Sequence, residues 1–74
     1  MASEHIITEE PAIGARVLVK TQQFGTGNVQ NAWRVLVDWG CDGDTRKAFN
    51  LVAAEVGTEE ATAILNRAEI VWAE

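Results

Sequence analysis

Few side chains in this 74-residue sequence could carry chemistry, and each is easily surveyed. The single histidine, His5, lies in a Glu-rich N-terminal stretch with no partner residue nearby in sequence. The single cysteine, Cys41, sits between Gly40 and Asp42. A nucleophilic cysteine needs cations or a helix N-terminus to lower its pKa, whereas Asp42 and Asp44 act in the opposite direction. It reads as a turn residue. Asp38, Asp42 and Asp44 bring carboxylates close together in sequence, but they miss the Asp-x-Asp-x-Asp-Gly spacing of a calcium loop, and no glutamate follows at its twelfth position. Gly25 and Gly27 could approach a phosphate, yet no Gly-Lys-Ser/Thr follows them. Glu59 and Glu60 suit the positive end of a helix before they suit acid–base work. The expectation is a protein with no catalytic residue, metal or cofactor.

Composition narrows the class further. Hydrophobic residues make up 47% of the chain and charged residues 23%, which favours folding over disorder. A domain this small is marginal unless it packs well, so Trp33, Trp39, Trp72, Phe24 and Phe49 carry much of the apolar potential. One cysteine excludes an internal disulfide and fits a reducing compartment. No apolar run approaches the roughly 20 residues that span a bilayer, and the acidic start lacks a signal core. A cytoplasmic protein with no membrane contact is expected. The net charge of −5 is unevenly spread. The ends are acidic, while the middle holds Arg16, Lys20, Arg34, Arg46 and Lys47 against three aspartates. A pI near 4.7 argues against general nucleic-acid binding, which favours a high pI and a basic stripe.

The elements that would position these residues read as mainly β. Residues 1–12 form a flexible acidic arm interrupted by Pro11, with Ile6 and Ile7 able to dock. In residues 15–20, Ala15, Val17 and Val19 alternate with Arg16, Leu18 and Lys20. In residues 32–39, Trp33, Val35, Val37 and Trp39 alternate with Ala32, Arg34, Leu36 and Asp38. Period-two patterning of β-branched and aromatic residues predicts two strands. Between them, Phe24-Gly25-Thr26-Gly27 reads as a corner leading to a short strand at Val29. Gly40 to Asp44 reads as a turn. Residues 45–56 leave two readings open. Phe49, Val52, Ala53 and Val56 fit a helical stripe with Asp44 or Thr45 as N-cap, but a strand followed by a turn also fits. From Thr58, taken as N-cap, a helix is expected to about Ala68. Residues 69–73 either continue it or form a strand.

The stretches Ile13-Gly14, Arg16-Val17, Phe24-Gly25-Thr26-Gly27-Asn28-Val29 and Val35-Leu36-Val37-Asp38-Trp39 resemble small SH3-like or Tudor-like β-barrels. Similar modules end repair helicases and occur in RNA-polymerase-binding transcription regulators. The resemblance covers about residues 13–50. It implies a bent antiparallel barrel of four or five strands spanning 13–74 with a C-terminal helix, residues 45–50 as the fourth strand, and a non-catalytic adaptor function.

The function expected from this reading is protein–protein interaction. The partner would meet an edge formed by Gln22, Gln23, Phe24 and Trp39, with Trp72 either docking the helix or offered as an anchor. Self-association would cover Leu18, Leu36 or Trp72. The alternative is nucleic-acid binding through Arg16, Lys20, Arg34, Arg46 and Lys47, with a steep salt dependence. A third reading is a small phage or mobile-element protein that blocks a host factor.

Overall fold

The structure, a computed structural model, describes residues 2–72, the side chains of residues 2–10 excepted. Its described residues form helices joined by short turns, and they contain no strand. Helix α1 spans Ala2–Thr21 and leads through a 3₁₀ turn, Gln22–Phe24, into α2, Thr26–Val35. Helix α2 runs on as a π-helical turn, Leu36–Gly40. Helices α3, Thr45–Val56, and α4, Thr58–Arg67, complete the bundle.

The SH3-like or Tudor-like barrel is therefore overturned, and the reason lies in the periodicity. The buried residues of α2 and its π turn are Val29, Trp33, Leu36 and Val37, spaced as one helical stripe. Those of α4 and its cap, Ala61, Ile64, Leu65 and Ala68, repeat that spacing. Alternation in residues 32–39 arises because this segment carries a second apolar stripe, Val35 and Trp39, on its outer side. Two helical stripes on neighbouring faces mimic period two. The expected faces are scrambled accordingly: Ala15, Trp33 and Val37, read as inward, are buried. Leu18 and Leu36, read as outward, are 0% and 2% exposed, whereas Val17 and Val35, read as inward, are 48% and 56% exposed. β-Branched residues cost a helix only a few tenths of a kcal/mol each, so burial decides.

Residues 45–56 are a helix, which excludes the fourth strand. The Asp44 side chain caps it, accepting the Lys47 backbone N–H at 3.0 Å. Residues 2–12, expected as an arm, have the backbone of the first part of α1, which continues through Pro11. Docking of Ile6 and Ile7 lies outside the described side chains.

Glycines make the sharp joints. Gly25 has φ 109° and ψ 168°, a conformation costly for any residue with a Cβ. It ends the 3₁₀ turn and begins α2, its carbonyl accepting from the N–H groups of Asn28 and Val29. Gly27 lies inside α2, so the supposed two-glycine corner is a one-glycine helix break. Gly57, φ 93°, joins α3 to α4 alone and is the N-cap of α4, the place expected for Thr58.

Helix α4 ends in a Schellman motif. The Ile70 N–H donates to the Leu65 carbonyl at 2.9 Å and the Glu69 N–H to that of Asn66 at 3.0 Å. Glu69 takes the left-handed conformation, φ 59°, usually given to glycine. This ends the helix. Residues 70–72 have no regular structure. Ile70 is buried, and Trp72 stacks on Phe49 with ring centroids 5.2 Å apart.

Candidate functional site

Helices α1 and α2 run antiparallel, and their close approach builds a groove. A Cβ placed on Gly14 would lie 3.1 Å from Leu36 Cδ1. One placed on Gly40 would lie 3.4 Å from that same atom and 3.5 Å from Pro11 Cα. Leu36 thus fills the space between two glycines, and the pair of helices closes over it.

Above Leu36 the surface is apolar. Ile13, Gly14, Val35, Leu36, Trp39 and Gly40 line a recess of about 320 Å³ at one end of the pair. A second recess of about 320 Å³ lies towards the α1–α2 connection, lined by Gly14, Val17, Thr21, Asn28, Asn31, Ala32 and Val35. The two share Gly14 and Val35, so they form one continuous groove with no ionisable side chain in its lining. Ile13 and Val17 stand one turn apart on α1, and Val35 and Trp39 face them from α2. Trp39 is 83% exposed, far more than a tryptophan packed in a small core. It lies in the π turn, a distortion that recurs at functional sites.

Of the residues singled out in the sequence, Trp39 belongs to this groove and the others lie elsewhere. Phe24 is exposed in the 3₁₀ turn, at the opposite end of α2 from Trp39, roughly 20 Å away along the helix. Gln23 is exposed in the same turn. Gln22 is engaged structurally, as its Nε2 donates to the Val19 carbonyl and its Oε1 accepts from Arg67 Nη2 at 2.9 Å. Arg67 also reaches Glu60 at 3.3 Å. Trp72 is half-buried on α3, so it anchors the tail. The expected edge of Gln22, Gln23, Phe24 and Trp39 is not assembled. Leu18 and Leu36, expected as surface that self-association would cover, are buried in the core.

The basic residues of the nucleic-acid reading are dispersed. Arg16 and Lys20 are on α1, Arg34 is on α2, and Arg46 and Lys47 are in the first turn of α3. Arg16 is paired with Glu55 at 3.5 Å. On the far side of α2, Gln30, Arg34, Asp38, Glu69 and Val71 border a mixed recess of about 420 Å³, where Gln30 Nε2 already donates to the Ala68 carbonyl at 2.8 Å.

Cys41 is a core residue, 3% exposed. Burial pushes its thiol pKa up, Lys47 lowers it in part, and Asp44 and Asp42 raise it. Among the described residues, no three histidine, cysteine or acidic side chains gather as metal ligands, and no helix is long and apolar enough to cross a membrane.

Sequence reasoning missed Ile13, Val17 and Val35 as surface residues. The available signal was the four-residue spacing of Ile13 to Val17 and Val35 to Trp39, which puts each pair on one helix face. Comparison of the chain with family models, curated proteins and solved structures finds no match.

Proposed function

We propose that this chain is a non-catalytic protein-binding module whose contact surface is the α1–α2 groove. The observation that carries the reading is the exposure of Trp39 beside Val35, Val17 and Ile13 on a continuous apolar surface. Contiguous exposed apolar surface marks interaction sites, and tryptophan is prominent among interface anchors. The partner is defined by the lining. Without an ionisable side chain the groove favours uncharged apolar side chains, not phosphates or a charged peptide. Nucleic acid, which needs cations along its path, is a poor fit to this surface.

Site-specific photo-cross-linking tests the reading. A photo-reactive phenylalanine analogue at position 17, 35 or 39 is expected to give protein adducts in expressing cells. The same analogue at Asn50 on α3 or Glu59 on α4, both exposed, is expected to give few. Equal yields from all five positions would remove the groove as the binding surface.

A further inference from the structure

We infer that the mixed recess on the far side of α2 binds a small molecule of the basic amino-acid class, with two cationic groups and one carboxylate on an aliphatic stem. The recess, about 420 Å³, falls in the size range of small-molecule sites. Gln30, Arg34 and Asp38 stand on successive turns of α2 and its π turn and make one wall. The tail residues Glu69, Ile70 and Val71 make the other, and Trp33 and Val37 lie between them. Gln30 ties the walls together, its Nε2 donating to the Ala68 carbonyl at 2.8 Å.

The remaining polar groups of this recess are unengaged. Trp33 is 8% exposed, yet its indole N–H has no hydrogen-bond partner among the described residues. Buried tryptophans ordinarily find one. Among the described residues no fully buried side-chain nitrogen lacks a partner, so Nε1 reaches the recess that the ring lines. The side chains of Arg34, Asp38 and Glu69 likewise make no ion pair or hydrogen bond among the described residues. Arg34 and Asp38 have the four-residue spacing that can pair opposite charges on a helix, and here they stay apart. Glu69 runs against local preference twice. Its φ of 59° favours glycine, and a carboxylate just past α4 meets the negative end of the helix dipole.

Complementarity selects the ligand. The Asp38 and Glu69 carboxylates call for two cationic groups, while Arg34 and the Trp33 N–H call for one anionic acceptor. Trp33, Val37 and Ile70 suit the methylenes of a long stem. Free lysine and arginine carry this set, and their net positive charge offsets the net negative charge of the lining. A chain of net charge −5 also attracts such a ligand from a distance.

Proton–nitrogen correlation NMR is the test, because each tryptophan gives its own indole N–H peak, assigned here with Trp39→Phe and Trp72→Phe. The Trp33 peak is expected to move on titration with L-arginine or L-lysine to about 10 mM at constant ionic strength, a range that captures weak sites. The Trp39 peak should stay. Agmatine, which is arginine without its carboxylate, and Nα-acetyl-L-arginine, without its free ammonium, should each bind at least about tenfold more weakly, the loss of one charged hydrogen bond. Glu69→Gly should weaken L-arginine as much while raising the thermal midpoint, which separates the lost carboxylate from lost structure. A Trp33 peak unmoved at about 10 mM L-arginine, agmatine binding as well as arginine, or Glu69→Gly with unchanged affinity would overturn the site.

Discussion

The outer surfaces of the two helical pairs differ in kind. Along α3 and α4 the exposed positions include Asn50, Glu55, Glu59, Glu60, Asn66 and Arg67, the composition of a surface meant for water. Along α1 and α2 they include Ile13, Val17, Val35 and Trp39. Both pairs bury a complete stripe inward, so the apolar outer stripe of α1–α2 is additional to what the bundle needs. Isolated exposed apolar residues are ordinary. Four of them bordering one groove are the surface on which the proposed binding rests. The buried and the exposed apolar stripes thus occupy different sides of the same helices, with Leu36 the shared layer between them.

The sharpest break of this contrast sets Leu36 against Trp39. Leu36→Ala removes a buried side chain wedged against two glycines and should cost about 3 kcal/mol in urea denaturation. Trp39→Ala, measured where the chain is monomeric, should cost within about 0.5 kcal/mol, as for a surface change. Comparable losses would mean that Trp39 belongs to the core.

The glycine joints come next. Gly25→Ala and Gly57→Ala have open space for the added methyl. Their cost is therefore backbone strain, about 1–2 kcal/mol each, read as a lower thermal midpoint. Gly27→Ala, inside α2 and equally unobstructed, should instead stabilise by about 1 kcal/mol. A loss at position 27 would contradict its helical placement.

Smaller effects sharpen the picture of how α4 ends. Gln30→Ala removes the bond that ties α2 to the Ala68 carbonyl and should cost about 1 kcal/mol. Glu69→Gly relieves the left-handed conformation at the cap and should gain about 0.5–1 kcal/mol. Cys41 offers a pH-dependent check. Its folded pKa is raised, so its contribution is intact below the unfolded thiol pKa and fades as pH rises through the folded one. The fall in stability at alkaline pH should therefore be smaller in Cys41→Ala than in the wild type, and a thiol reagent should label the unfolded chain much faster than the folded one.

What the sequence made legible was local. Glu59 and Glu60 in the first turn of α4 follow from short-range rules, and so does one of the two readings left open for residues 45–56, the helical stripe from Phe49 to Val56 capped by Asp44 or Thr45; the structure has that helix, with Asp44 as its cap. The fold was not legible from periodicity in residues 15–20 and 32–39. Ala15 and Leu18 are three residues apart and both buried, but valines around them filled in an alternating pattern. An exposed apolar stripe beside a core stripe produces this ambiguity, since Val17, Val35 and Trp39, which blur the helical signal, are exposed. Trp39 was picked out for standing beside a turn, and its actual neighbours, Ile13 and Val17, are far away in sequence. Only the packing of α1 on α2 brings them together.

The solitary residue between α3 and α4 also bears on how the chain acquires its shape. A linker of one glycine closes almost no loop, so α3 and α4 can meet with little entropic penalty, and mainly local contacts favour rapid folding. The α3–α4 hairpin is accordingly expected to assemble in the rate-limiting step. Truncations at Val52 and Leu65 should slow refolding in stopped-flow experiments, whereas truncation at Val29 should chiefly speed unfolding.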